Sequence, residues 1–207
     1  MIRGLRNVAT LVLLAASLFS CSSKDTPMTK SRAAAEILGN PEYRAISFGG
    51  YRGKERAKQP TIPQLKEDLK IMSAMGIKIL RTYNLQLAHA PNVLKAIREL
   101  KNEDPTFEMY VMLGVWIDCL NAWTDHPDHS IEDPKNNESE IQKAVRYATE
   151  YPDIVKVIAV GNEAMVHWAS SYFVHPSVIL KYVNYLQELK KVGKLAPDLW
   201  ITSSDNF

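Results

Sequence analysis

Val155 to Val160 form an apolar-rich run, VKVIAV, and Gly161-Asn162-Glu163 follow it with no spacer. A core strand that ends this way delivers an amide and a carboxyl to the rim of the fold. A carboxyl placed there can give or take a proton. Other apolar runs end in the same manner, reading GGYR from Gly49, RTYN from Arg81, GVWID from Gly114 and SSDNF from Ser203. Arg81, Tyr83, Asn84, Trp116, Asp118, Asp205 and Asn206 are thereby brought to one structural level with Asn162 and Glu163. Trp116 and Trp123 flank Asp118, and their flat faces either complete a core or offer a stacking surface.

The elements that must position these groups alternate along the chain. RAISF (44–48) reads as a strand ending at Gly49-Gly50. Thr61 caps a helix with Pro63 in its first turn and Leu65, Leu69 and Met72 at helical spacing, stopping at Gly76. IKILRTY (77–83) is the next strand, and Pro91 opens a helix with a stripe of Val93, Leu94, Ile97 and Leu100. MYVMLGVW (109–116) is a third strand. A polar loop containing Pro127 and Pro134 leads to a helix over 138–150, and VKVIAV is the fourth strand. Helix 178–191 and strand LWITSS (199–204) complete the pattern.

Strands separated by single helices require right-handed βαβ units, and continuous rather than alternating apolar strands suit a parallel sheet covered on both faces. The fold class is α/β, as either a doubly wound sheet or a (β/α)8 barrel. Polar residues at the C-terminal end of every strand favour the barrel, with about its first five β/α units in this chain. No G-x-G-x-x-G or P-loop motif follows the first strand, which removes the main support for a nucleotide-binding sheet and leaves no cofactor signature.

Composition narrows the function classes further. The chain has 207 residues, with 25 basic and 23 acidic. Its first twenty residues hold Arg3 and Arg6, then VATLVLLAASLF, and no acid, the pattern of a secretory signal too short to span a bilayer. Leu18-Phe19-Ser20-Cys21 resembles a bacterial lipobox, with Cys21 as the lipidated residue, and 21–40 suit a tether with a short helix before the domain over 41–207. The expected location is the cell envelope, lipid-anchored to the outer membrane on its periplasmic or surface side, with no spanning helix. Setting aside Arg3 and Arg6, 25 less 2 leaves 23 basic residues against 23 acidic. Such a neutral chain gives nucleic-acid binding no electrostatic support. Lipidation of Cys21 would leave Cys119 alone, and no Cys/His cluster has metal-ligand spacing. His126 and His129, in DHPDH, read as part of a proline-bearing loop rather than a metal site.

Three segments in order, IKILRTYN, VMLGVWID and above all VIAVGNEA, resemble the second, third and fourth strands of glycoside hydrolase family 17, the β-1,3-glucanase family. The likeness runs from about Ala45 to Phe207, with loops closer to bacterial than to plant members. It implies a TIM barrel and a retaining β-glucan hydrolase, or a transglycosylase using the same carboxylates. Glycoside cleavage passes through an oxocarbenium-like transition state and needs an acid for the leaving oxygen and a nucleophile on the opposite face. By the resemblance Glu163 is the general acid/base, Asn162 holds the sugar 2-hydroxyl, and Arg81 steadies the nucleophile. Tyr83, Asn84, Trp116, Asp118 and Trp123 are the expected sugar contacts.

The family's nucleophile is a glutamate at the end of the seventh strand, past the fifth strand that this chain reaches. A barrel takes about 250 residues, whereas 207 less the first 20 leaves 187. The expectation is a fragment that is inactive alone, from a parent that hydrolyses β-glucan. The alternative is a non-catalytic glucan-binding surface lipoprotein in which Glu163 is only a contact.

Overall fold

The computed structural model describes residues 31–205. The signal, Cys21 and the first part of the tether therefore lie outside the described residues, as does Asn206. In chain order the elements are α1 (Ala34–Ile37), β1 (Arg44–Ser47), α2 (Ile62–Ala74), β2 (Ile77–Arg81), α3 (His89–Glu103) and β3 (Tyr110–Val115). They continue with β4 (Cys119–Leu120), β5 (Asp128–Glu132), α4 (Pro134–Glu150), β6 (Val155–Asn162), α5 (Pro176–Lys191) and β7 (Trp200–Ser204).

Local chemistry sets the helix starts. Thr61 Oγ1 accepts from the Gln64 N–H at 3.4 Å while the Gln64 side chain accepts from the Thr61 N–H at 3.0 Å, a reciprocal cap on α2. Asp133 caps α4, accepting from Asn136 N–H at 3.1 Å, with Pro134 in the first turn. That pair starts α4 a turn ahead of the expected residue 138, because the cap satisfies an end N–H and proline has none to lose. Likewise α3 begins at His89, and Pro91 sits inside its first turn.

Five strands form one parallel sheet in the order β1-β2-β3-β6-β7. The order never reverses, so the switch point that defines a doubly wound sheet does not exist among the described strands. All four long helices pack into one large cluster with the sheet. Leu69 of α2, Leu94 and Ile97 of α3, Ile141 of α4 and Leu186 of α5 join Leu80, Leu113, Val115, Ile158 and Val160 of the sheet. Residues of opposite parity, Ile79 and Tyr110, pack instead with Ile37 and Tyr43. The sheet has margins at β1, whose four residues are all exposed, and at β7, where Trp200 is exposed.

One stretch departs from the expected loop after the third strand. Cys119 and Leu120 pair antiparallel with the segment from Asp128 to Glu132 as a small separate ribbon. Two residues on one side are too few to show an alternating pattern, so the sequence carries no visible sign of it.

Residues 31–43 lie against the N-terminal ends of the strands. Ile37 is fully buried in the small cluster, Arg32 pairs with Glu108 at 3.9 Å just before β3, and Lys156 at the start of β6 donates to Ser31 Oγ at 2.9 Å. The later part of the expected tether is thus packed on the sheet, and the helix expected within it is α1.

Candidate active site

The expected polar strand ends, as far as residue 205, lie at the opposite, C-terminal end of the sheet. At the end of β6, Gly161 has φ +82°, and an added Cβ would meet Ala164 Cβ and Ile179 Cδ1 at 2.9 Å each. The positive φ favours glycine there, and a larger residue would also press on Ala164 and the tip of Ile179. Glu163 is itself left-handed, at φ 49°, a conformation that non-glycine residues adopt rarely and mostly where the surroundings hold it. The hold is visible here. Its N–H donates to Ser204 O of β7 at 2.7 Å, and Asp205 Oδ1 accepts from Met165 N–H at 3.0 Å. Asp205 therefore pins the turn that carries Glu163.

Arg81 ends β2 two strands away, and its Nη2 donates to Asn162 Oδ1 at 2.6 Å. The guanidinium also lies over the Tyr83 ring, 5.4 Å from its centroid. With Asn162 Oδ1 taken by the arginine, the amide keeps its N–H groups for a ligand. The expected partner of Arg81 is a carboxylate; among the described residues it is the Asn162 amide. Arg81 Nε is buried and has no hydrogen-bond partner among the described residues, so a donor remains for a further acceptor.

Arg81, Tyr83, Asn84, Trp116, Trp123, Asn162 and Glu163 line one cavity of about 640 Å³. Gly49, Tyr51, Arg56 and Tyr172 complete its wall. Glu163 is the only carboxylate lining it among the described residues. Tyr51 and Arg56 follow the first strand, and sequence reading assigned them no role, although Tyr51 belongs to the polar strand end GGYR. Behind Tyr51, His89 is buried between the Tyr51 and Phe48 rings, with centroids 5.7 and 5.4 Å away. Burial pushes its pKa down to about 4, so the imidazole backs the wall in neutral form at neutral pH.

One side of the cavity is aromatic. Trp123 and Tyr172 stack with centroids 4.8 Å apart and 24° between planes, and Trp116 stands 6.2 Å from Trp123 and 5.1 Å from Tyr172. Trp116 is half-buried, whereas Trp123 is 61% exposed and is therefore no core residue. Trp123 reaches this position from a left-handed backbone, φ 67°, fixed by its N–H bond to Ser171 O at 2.8 Å. Trp168, also exposed, does not line the cavity.

Asp118 is the exception within the expected set. It is 4% exposed and does not line the cavity. Its Oδ1 accepts from Trp116 Nε1 at 2.8 Å and from Trp123 Nε1 at 3.2 Å. Asp118 thus meets the aromatic wall from behind, where both indole N–H groups occupy the oxygen facing them. His129 is used inside the fold as well, its Nδ1 lying 2.8 Å from Phe173 O and its ring stacked on Phe173.

Two buried groups on α4 hold these strand ends and were absent from the sequence reading. Glu140, 1% exposed, accepts through Oε2 from Leu85 N–H at 2.8 Å and Trp116 N–H at 3.0 Å. Asn137 brackets Asp118, accepting its N–H and donating to its carbonyl, both at 2.9 Å. Burial raises the pKa of Glu140, and the two backbone N–H bonds and Lys143 oppose that rise. The available signal is positional: both residues lie on the same helical stripe as Ile141, Ala144 and Ala148.

The chain is similar to the crystal structure of an endo-laminarinase from Formosa Hel1_33_131, with 68% identity and a TM-score of 0.82. The match covers 84% of this chain and 44% of that one, so the chain spans less than half the length of that protein. No model of a known protein family matches the chain, and no curated protein does.

Proposed function

We propose that this chain carries the acid/base half of a retaining β-1,3-glucan hydrolase of the family 17 type. The observation that carries the reading is the convergence of Glu163, Asn162 and Arg81 from two strands of one parallel sheet, β6 and β2, on one cavity with an aromatic wall. Likeness at 68% identity to an endo-laminarinase supports β-1,3-glucan as the substrate class.

On this reading a pyranose packs on the Trp116, Trp123 and Tyr172 rings, and Asn162 donates to its 2-hydroxyl. Glu163 protonates the leaving glycosidic oxygen, then as carboxylate takes a proton from the attacking water. The nucleophilic carboxylate comes from a later strand end, about 5 to 5.5 Å from the Glu163 carboxyl, as retention requires. Arg81 Nε, unpaired among the described residues, is placed to donate to it. The parallel units then continue in the same sense to a closed (β/α)8 barrel. A sugar hydroxyl in place of water would give transglycosylation with the same groups. Cys21, by its lipobox-like setting, anchors the protein in the cell envelope.

The test is reducing-end release from laminarin by the longer parent protein that supplies the later-strand carboxylate, as wild type and as Glu163→Gln. The substitution is expected to lower the rate by roughly 10² to 10⁴-fold, the usual contribution of a positioned proton donor. An unchanged rate would remove Glu163 from the chemistry. Proton NMR of the first product is expected to show the β-anomer.

A further inference from the structure

We propose that Asp118 is the positioning residue of the aromatic wall, a buried carboxylate that fixes the tilt of two indoles so that they form a ready-made surface for a pyranose ring. The proposal rests on the glucan reading above and deepens it. A tryptophan side chain has one hydrogen-bond donor, and tying that donor fixes the rotation of the ring about its own stem. Both indole donors of the wall end on the same Asp118 oxygen, at 2.8 and 3.2 Å. The tie matters most for Trp123, which is 61% exposed and has solvent rather than packing on much of its surface. Ordering such a ring on ligand arrival weakens binding, and a ring ordered beforehand avoids that loss.

Asp118 is suited to the task because its backbone is fastened at both its N–H and its carbonyl. Asn137, fully buried on α4, binds both its N–H and its carbonyl, and Asp133 N–H donates to the same carbonyl at 3.1 Å. The same helix holds the Trp116 backbone through Glu140. The wall is thus registered on α4 rather than on the loop that bears Trp123. The charged or titratable groups around Asp118 are Asp133, Glu140 and Lys143 on α4 or its cap, the adjacent Cys119, and Tyr172 across the wall. Burial raises the Asp118 pKa and the indole bonds oppose the rise, so its titration is reported directly by the two rings it holds.

The experiment uses the full chain with ¹⁵N-labelled tryptophan. The indole N–H signals of Trp116 and Trp123 are followed in wild type, Asp118→Asn and Asp118→Ala, with those of Trp168 and Trp200 as internal references. Laminarihexaose affinity is measured on the same samples by calorimetry. In Asp118→Ala both wall signals are expected to move and affinity to fall about tenfold, whereas Asp118→Asn, which keeps an acceptor, stays within about threefold of wild type. Where the protein turns over laminarin, KM is expected to rise in the alanine variant with kcat little changed. Should Asp118→Ala fail to fold, Trp123→Phe decides, because it keeps a ring and removes the donor; a loss of about threefold or more is expected, and no loss overturns the proposal. Unmoved wall signals in Asp118→Ala overturn it, and so do moved signals with unchanged affinity. A wild-type protein that ignores laminarihexaose while its wall signals respond to Asp118→Ala overturns the glucan reading, and the proposed use of the clamp with it, while leaving the clamp itself demonstrated.

Discussion

At Gly114 the backbones of β2 and β3 approach so closely that a Cβ would stand 2.2 Å from Thr82 O and 2.7 Å from Tyr83 Cα. The Gly114 N–H also donates to Thr82 Oγ1 at 3.1 Å. Every atom in the way is backbone, so no side chain can rotate aside. Gly114→Ala is therefore expected to destabilise the protein by about 3 kcal/mol or more, read from urea denaturation, and to displace Tyr83 from the cavity. Residues of this kind are half legible in a sequence. Glu163, Asn162, Arg81, Tyr83, Asn84 and Trp116 stood out because each follows an apolar run that can be nothing but a core strand. Asp118 was half legible in the same way, since spacing put an acid between two indoles without saying that their N–H groups would claim it.

Among the elements, α4 has the largest share in assembling the site. It spans the ends of β2 and β3 from behind, and Glu140 holds both at once through the Leu85 and Trp116 N–H groups. Glu140→Leu leaves two buried donors without an acceptor and is expected to cost about 2 to 4 kcal/mol at neutral pH. A pH series separates charge from hydrogen bonding. Because burial raises the folded-state pKa of Glu140, the native state holds its proton more tightly than the unfolded chain does. Its stabilising share is present in full below the ordinary glutamate value and is lost as pH rises through the folded value. Wild type is thus expected to lose stability relative to Glu140→Gln as pH climbs from about 4.5, the ordinary value, with thermal melts at matched ionic strength as the measurement. A constant difference between the two proteins across that range would mean that Glu140 does not titrate there. Sequence reading located the helix but not this role. The backbones that Glu140 holds are 24 and 55 residues away in the chain, beyond any local pattern. The ribbon of β4 and β5 escaped for the opposite reason, being too short to leave a period.

For the molecule as a whole, the sequential order of parallel strands was readable from the alternation of apolar runs and helices, because each right-handed unit leaves little choice of neighbour. The charge is close to balanced, 25 basic residues against 23 acidic, and the cavity has a matching consequence for binding. A neutral polysaccharide held by stacking and hydrogen bonds meets little long-range field, so affinity for laminarihexaose is expected to change less than about twofold between low salt and 0.5 M sodium chloride. An acidic polymer attracted by Arg56 and Arg81 in the cavity wall would instead lose affinity steeply over the same range. Finally, the leading described residues are fastened where the strands begin, by Ile37, Arg32 and the Ser31–Lys156 bond, and the cavity opens where the strands finish. A bead coupled at Ser31 would sit under the floor of the domain, leaving a polymer free to approach the cavity from the bulk liquid without threading past its support.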